Sequence, residues 1–512
     1  MPSRKLLLLH AKARVPLAKG FSRALEVVSA TFGPKGRVVL LENPVGDPFG
    51  VTPPEIVRRG YLLLEEAEVG SLAERVGLHL VREVAREVWQ AHGDGSKQAA
   101  LVAARLANGV LRLREAGFNP SELETHLRQA GEQALAALKA KRVWLEEGAL
   151  QRVAAMTLGP NEAPLLLEGL TRSPLGEVEV EAREGQEGLE LEVVEGIAWP
   201  FPPLDRWLGA EERSYLLALF QDPLEDPEEL APMLAWAADQ GQALLVVAPA
   251  YGEGVKQLLH LNRHRLPLAA YLAPQASEWR RERLEDLAVA IGSPLHIRGE
   301  AQCPSPETLK LVWAKPEDEG IRLEPRGGRA SERVRHLLRR LEEAEDFERE
   351  RLMERIRHLS PRVRLWVGSP TLATARYRRE RIRESLALVT ALRQGGAVPG
   401  AGAALAQVAE GLREPDGISR ELKEALLTPY RQLLANAGLA QKHLNPSQGP
   451  VDVFTGRPAP LWDPYPVVDL ILRKALSLGI LLARTEGLMV EEALEYELPI
   501  DSAGPIKEAG IE

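Results

Sequence analysis

Cysteine is almost absent from this chain: Cys303 stands alone among 512 residues. A single thiol cannot close an intrachain disulfide and lacks the paired spacing of a zinc or thiol-redox site, so both are excluded and a reducing, cytoplasmic setting is expected. A basic excess is lacking too. Lys and Arg number 64 against 73 Asp and Glu, a formal net charge of -9, so no general polyanion-binding face and no nucleic-acid partner are expected. Long apolar runs are also missing. Arg4 and Lys5 precede only Leu6 to Leu9, too short for the core of a signal peptide, and no stretch nears the ~20 residues of a membrane span. Neither export nor membrane insertion is expected. What is present is length and apolar content: with 45% hydrophobic residues the chain can bury several cores, at roughly 100–200 residues per domain.

From Pro16 to Ala30 the residues Leu17, Phe21, Leu25 and Val28 recur at helical spacing. Gly33-Pro34-Lys35-Gly36 then breaks the helix before a strand-like Val38-Val39-Leu40-Leu41. A second helix carries Val76, Leu80, Val84 and Val88 and stops at Gly93-Asp94-Gly95. Ser96 is placed to cap an alanine-rich helix running to about Leu113. The middle of the chain changes character. Strand-like Val178 to Val180 and Leu244 to Val247 alternate with helical patterns and with the connection Pro200-Phe201-Pro202-Pro203, which predicts a separate α/β domain. From Ser331 to His358 a charged helical hairpin is predicted, with Val334, Leu337, Leu341, Ala344, Phe347, Leu352 and Ile356 as its seam. Beyond Ala373 the pattern is largely helical up to Leu498, interrupted at Gly395-Gly396 and Gly400-Ala401-Gly402. There is no fixed-period repeat.

A glycine turn at a helix N-terminus exposes backbone N–H groups and a partial positive charge, so Gly93 to Ser96 is a physically sensible phosphate site. Asp94 is suited to hold Mg²⁺, which prefers oxygen ligands and commonly takes one or two carboxylates plus phosphate oxygens. Alone, such a loop equally fits an ordinary capped turn. Neither Gly33 to Gly36 nor Gly400 to Gly402 has the Walker pattern, and the latter follows a helix where a dinucleotide fingerprint would follow a strand.

Together these loops resemble one family, the group I chaperonins. The segment from Ala13-Arg14-Val15 to Thr31-Phe32-Gly33-Pro34-Lys35-Gly36-Arg37 is similar to the family's opening. Gly93-Asp94-Gly95-Ser96 is similar to its Gly-Asp-Gly-Thr, Glu342-Glu343-Ala344 with Glu348 to Leu352 to its helical hairpin, and Gly396 to Leu405 to its late glycine loop. The resemblance implies a multidomain α+β, GroEL-like architecture. A helical equatorial domain (1–136 and 396–512) would bind nucleotide and make ring contacts, a small intermediate hinge would span 137–192 and 364–395, and an α/β apical domain (193–363) would bind polypeptide. It implies ATP and Mg²⁺ as ligands and non-native polypeptides as clients. It also implies self-association into a heptameric ring, with a GroES-like cochaperonin or subunits of an ordinary chaperonin as further partners. The nucleotide residues it implies are Phe32, Gly33, Pro34, Gly60, Gly93, Asp94 (also the metal ligand), Gly95, Ser96, Lys97, Ala401 and Glu491, or Glu492 with a one-residue shift.

The chain departs from the family where hydrolysis would occur. The family's Lys-Asp-Gly loop stands here as Arg58-Arg59-Gly60, Lys97-Gln98 replaces threonines, and the late loop has Ala401 at its central glycine. Ser385 takes the place of the aspartate that activates water. Serine is no base, and adjacent Glu384 points about 100° away on a helix. General-base assistance is worth about 10²–10⁴-fold, so ATP hydrolysis is expected to be impaired. Arg59 and Lys97 suggest fixed cations beside the phosphates, against the alternative of drift at a dead site. For polypeptide binding the resemblance implies Trp207, Leu208, Leu234, Leu259 and Leu261, although apolar residues at helical spacing are more often core. His260 interrupts this groove. With His264 it has zinc-helix spacing, but Leu261 stands where a His-Glu-x-x-His motif needs glutamate. Two other functions compete: a non-cycling paralogue acting as holdase, scaffold or mixed-ring subunit, and a metabolic enzyme, for which no nucleophile, base and orienter are visible.

Overall fold

Long amphipathic stretches broken by glycine set the first part of the chain. β1 (Lys5–Leu9) leads into α1 (Ala11–Ala30), the antiparallel pair β2 (Val39–Leu41) and β3 (Glu55–Val57), then α2 (Gly60–Glu65), α3 (Leu72–His92), α4 (Ser96–Glu115) and α5 (Pro120–Ala140). The computed structural model describes residues 5–37, 39–41, 55–57, 60–274, 277–298, 305–318, 320–325, 327, 329–413, 416–439 and 445–491; Arg58, Arg59, Cys303 and Glu492 lie outside the described residues. Helix α1 starts earlier than its apolar pattern predicts and takes Pro16 into its interior. The Ala13 and Arg14 amides close the first turn on the His10 carbonyl, so the turn ahead of the proline is already anchored.

The chain leaves this unit within α6 (Glu147–Leu158). A second unit, residues 154–386, contains α7 (Ala163–Arg172), β4 (Glu179–Glu184), β5 (Gly188–Val194), β6 (Ile197–Trp199), β7 (Arg213–Phe220), α8 (Pro227–Asp239), β8 (Ala243–Ala248), α9 (Glu253–Asn262) and β9 (Leu268–Leu272). It continues through α10 (Ser277–Ile291), β10 (Leu295–His296), β11 (Lys310–Glu317), β12 (Gly320–Pro325), α11 (Ala330–Glu343), α12 (Asp346–Leu359), β13 (Arg362–Ser369) and most of α13 (Leu372–Gly395). The chain then returns to the first unit with β14 (Ala397–Pro399), α14 (Ala403–Gly411), α15 (Gly417–Asn436), β15 (Val451–Asp452), β16 (Arg457–Pro458), β17 (Trp462–Pro464), α16 (Tyr465–Arg484) and β18 (Gly487–Glu491). The stretch is largely helical, and its five short strands are the part that the sequence pattern does not predict. With two to five residues each, they are too short to show a clear period-two pattern in sequence.

In the first unit, residues 1–153 and 387–512, helix α4 runs through the core. Ala99, Ala100, Ala103, Ala104 and Ala107 are fully buried, and α1, α3, α15 and α16 pack around them. Gly20 of α1 and Gly77 of α3 let their backbones touch. A Cβ on Gly20 would lie 2.1 Å from the Glu74 carbonyl oxygen, and one on Gly77 2.5 Å from that of Leu17.

The second unit is built on a seven-stranded sheet ordered β6-β12-β11-β7-β8-β9, with β10 also beside β7; β7, β8 and β9 run parallel. Their connections are α8 and α9, as parallel pairing requires a crossover. Alternation of period two splits the strands between two cores. Leu217, Leu245 and Ala269 face one core with residues of α10, α11 and α12, while Leu216, Leu244 and Leu268 face the other with residues of α8 and α9. A three-stranded sheet, β4-β13-β5, forms separately. The α11–α12 pair is therefore not simply a solvated hairpin. Val334, Leu337, Leu352 and Ile356 are core residues, and Phe347, predicted in the seam, is 68% exposed because it sits at the start of α12 on the outer side.

Ion pairs tie these helices together beneath the surface. Asp286 of α10 accepts from Arg355 of α12 at 2.7 and 2.9 Å and from Arg333 of α11 at 2.7 Å, and Glu282 accepts from Arg351 at 2.7 Å. Asp286 and Arg355 are both buried. Removing one partner of such a network strands the others, so Asp286→Ala is expected to destabilise the second unit by about 3–5 kcal/mol. Chemical denaturation beside exposed Glu342→Ala, expected to stay within about 0.5 kcal/mol of wild type, checks this. Equal midpoints would contradict it.

Candidate functional site

Three glycine turns of the first unit carry the residues singled out for phosphate binding. At the end of α1, Thr31 is followed by Phe32, by Gly33 at φ +80° and by Pro34, and the turn closes with Gly36 N–H on Gly33 O at 3.0 Å and Arg37 N–H on Ala30 O at 2.8 Å. At the end of α3, Gly93 takes φ +70° and Gly95 φ +82°. Gly95 has no room for a side chain, since a Cβ would lie 2.5 Å from Val467 Cγ1 of α16.

Ser96 is not the cap that the sequence predicts. Gly95 takes the N-cap position and Ser96 is the first residue of α4. Left-handed Gly95 completes the turn without a side-chain acceptor, which frees the Ser96 hydroxyl to accept the Gly60 amide of α2 at 3.1 Å. Ser96 thus joins two loops. Lys97 joins a third: its ammonium donates to the Thr31 carbonyl at 2.9 Å, beside Phe32 and Gly33.

The late loop is shaped like a glycine turn although its middle residue is not glycine. Ala401 has φ +56° and Gly402 φ +75°, and Gly400 N–H bonds to Leu461 O at 2.8 Å. Both the Ala401 and Gly402 amides donate to the carboxyl of Asp463, on β17. This residue is absent from the set drawn from the sequence. Its only signal there is an aspartate before Pro464 at the start of α16, which reads as capping, and strand pairing of β14 with β17 sets Asp463 opposite Val398.

Asp463 lies within electrostatic reach of Asp94. Protein packed around Asp463, and then the charge of Asp94, push its carboxyl up to about 7 against the pull of the two amides. Asp94 is raised by the protein around it against the pull of the Gly95 amide, although the residue is exposed at the surface. Two carboxyls that resist ionising together fit a divalent cation, which relieves the repulsion, and the α4 N-terminus next to Asp94 fits an anionic ligand. Asp94 and Asp463 would hold the metal. Among the described residues no group of three or more His, Cys, Asp or Glu forms a complete metal cage. Mg²⁺ needs none where phosphate oxygens and water complete its shell.

Other residues are placed elsewhere. Glu491 is exposed on β18, opposite Lys5 of β1. In the second unit Ser385 is buried in α13, and its hydroxyl donates to the Arg381 carbonyl at 3.0 Å, so it offers no base. Of the five apolar residues assigned to polypeptide binding, only Trp207 and Leu261 are exposed, by 58% and 75%. Leu208, Leu234 and Leu259 belong to the core that α8 and α9 make with the sheet, which corrects their placement on a surface groove. His260 bonds Asp205 at 2.8 Å, and His264 accepts from Arg263 Nε at 3.3 Å.

A profile described as the TCP-1/cpn60 chaperonin family matches residues 25–232. Chaperonin GroEL 1 of Synechococcus sp. (strain CC9605) is 28% identical over 531 residues, covering 95% of this chain and 93% of that protein. On these matches the chain is similar to the chaperonin family, and to a group I member along nearly its whole length. The fold agrees. The chaperonin gp146 of bacteriophage EL 2 (Pseudomonas aeruginosa), solved in the presence of ATP-BeFx, superimposes with a TM-score of 0.68 in one crystal form and 0.61 in another, at 18% identity, over 95% of this chain and 99% of that one. The multidomain α+β, GroEL-like architecture is therefore that of this chain. No helix among the described residues is long and apolar enough to cross a membrane.

The carboxyl pair makes stability depend on pH. A folded-state pKa raised from 3.8 to about 7 means the native state holds a proton that the unfolded chain has lost, so stability falls as pH rises through this window. Asp463→Asn is expected to raise the thermal midpoint at pH 8 in chelator and to leave it nearly unchanged at pH 4. Mg²⁺ at pH 8 should stabilise wild type more than the variant. Thermal melts at the two pH values check this, and parallel pH profiles would contradict it.

Proposed function

We propose that this chaperonin captures non-native polypeptides and assists their folding as a subunit of an oligomeric ring, heptameric by resemblance, binding ATP with Mg²⁺ but hydrolysing it slowly. The observation that carries the slow step is Ser385: a buried hydroxyl bonded to its own helix stands where the family resemblance expects a carboxylate. Residues 1–136 and 396–512 serve nucleotide binding and ring contact, 137–192 and 364–395 serve as the hinge, and 193–363 serve polypeptide binding, in a cytoplasmic protein.

The nucleotide phosphates are received by backbone amides at Gly33 and at the first turn of α4 from Ser96, with the Lys97 ammonium beside the first loop. The metal, when bound, neutralises phosphate charge and lowers the repulsion between Asp94 and Asp463. Gly60 keeps its loop close to α4, where a Cβ would lie 2.9 Å from Lys97 Cγ. Donors and carboxyls for phosphate and metal thus remain at the turns despite the changes at Arg59, Lys97 and Ala401, whereas the carboxylate for water activation is replaced by Ser385. A non-cycling holdase, scaffold or mixed-ring subunit is the second reading, favoured by the same Ser385.

Steady-state phosphate release from ATP, with host chaperonin removed, separates these readings when run beside Ser385→Asp and beside suppression of aggregation of a denatured protein. Client capture by wild type is expected, with phosphate release about 10²–10⁴-fold below Ser385→Asp. Equal and rapid release by both proteins would overturn the impaired site. Capture with no release from either favours the non-cycling reading.

A further inference from the structure

Trp207 is exposed on the loop between β6 and β7, and its ring is flanked by two guanidinium groups. Arg206 lies 4.6 Å and Arg263 5.2 Å from the ring centroid, the latter reaching across from the end of α9. Leu261, the most exposed large apolar residue described, is on the last turn of the same helix. Exposed Arg265 follows shortly after. The loop is held in place from below: Leu204 N–H bonds Ala270 O at 2.8 Å, Ala270 N–H bonds Leu208 O at 2.9 Å, and Leu208 is buried. The patch is thus a tethered surface that crosses two elements.

Its charge is one-sided. The acid within it, Asp205, is engaged through both oxygens: Oδ1 accepts the Trp207 amide at 2.7 Å and Oδ2 bonds His260 at 2.8 Å. That leaves Arg206, Arg263 and Arg265 around two exposed apolar side chains, on a chain whose overall charge is -9. An arginine over an indole presents its terminal N–H groups at the ring edge, and with Arg263 Nε donating to His264 the two terminal nitrogens of that guanidinium still suit a carboxylate with two parallel bonds. Tryptophan and arginine are also the side chains that most often dominate protein interfaces.

We infer that this surface selects acidic polypeptide segments, in which an apolar side chain neighbours one or more carboxylates. The inference rests on the polypeptide-binding reading above and names its client class. The apolar side chain covers Trp207 and Leu261, and the carboxylates meet Arg206 and Arg263. Polypeptide is favoured over nucleic acid because the cations are few, clustered around an exposed leucine, and set on a chain of net negative charge.

The test uses the full chain and three labelled peptides of one apolar pattern whose intervening residues are all Glu, all Gln or all Lys, followed by fluorescence anisotropy. The Glu peptide is expected to bind at least fivefold more tightly than the Gln peptide, and the Lys peptide most weakly. Salt at 0.5 M is expected to erase the difference, because the Debye length falls to about 4 Å. Arg206→Gln with Arg263→Gln should erase it as well with thermal stability kept, while Trp207→Ala should weaken the Glu and Gln peptides alike.

Equal binding of the Glu and Gln peptides, or a preference that survives the double variant, would overturn the inference while leaving polypeptide binding intact. So would capture of a denatured protein with no peptide bound. Failure to bind denatured protein as well would overturn the polypeptide reading itself. Binding of a single-stranded oligonucleotide that is lost in the double variant would replace the acidic polypeptide with a nucleic acid.

Discussion

Close backbone packing around the alanine-rich helix α4 is the constraint on which the glycine loops depend. A helix whose buried positions are Ala99, Ala100, Ala103, Ala104 and Ala107 lets α1, α3, α15 and α16 approach nearer than leucine-sized side chains would allow. Its first turn is consequently fixed from several directions. Gly95 is wedged against Val467 and Ile471 of α16, Ser96 holds the amide of Gly60, and Lys97 reaches the end of α1. The loops are therefore positioned less by their own sequences than by the helices they join. This is how Ala401 can adopt a backbone shape that usually calls for glycine: Gly400 is pinned to Leu461 and the following amides are drawn to Asp463.

Much of this framework is legible in sequence. Helices α3 and α4 announce themselves through periodic apolar positions, and the turn between them through two glycines, because both features act locally. What is illegible depends on contacts between distant segments. Asp463 joins the site only because β17 pairs with β14 and faces the loop before α14, and nothing in Trp462-Asp463-Pro464 signals that pairing. Ser96 looks like a cap because serine usually is one. Its actual partner, Gly60, is 36 residues away.

The second unit has the same boundary. Leu208, Leu234 and Leu259 sit at positions that the family resemblance links to a groove, yet the sheet is covered on both faces and these side chains fill one of its cores. Spacing alone cannot say which side of a helix looks outward when both of its neighbours are apolar. Phe347 errs in the opposite direction, since an aromatic residue in a charged helix suggests a seam but lies at the exposed start of α12. The arginines that surround Trp207 and those that serve Asp286 beneath the surface are likewise told apart only by their contacts in the structure.

The proposed function separates two abilities that a nucleotide-driven machine normally couples: binding at the turns of the first unit, and hydrolysis, for which Ser385 of the second unit supplies no base. Single-turnover mixing of ATP and Mg²⁺ with excess purified protein, quenched over time and assayed for bound and cleaved nucleotide, tests that separation directly. The account predicts ATP that is bound early and recovered largely uncleaved long after binding is complete. Cleavage that keeps pace with binding, or no bound ATP at any time, would contradict it.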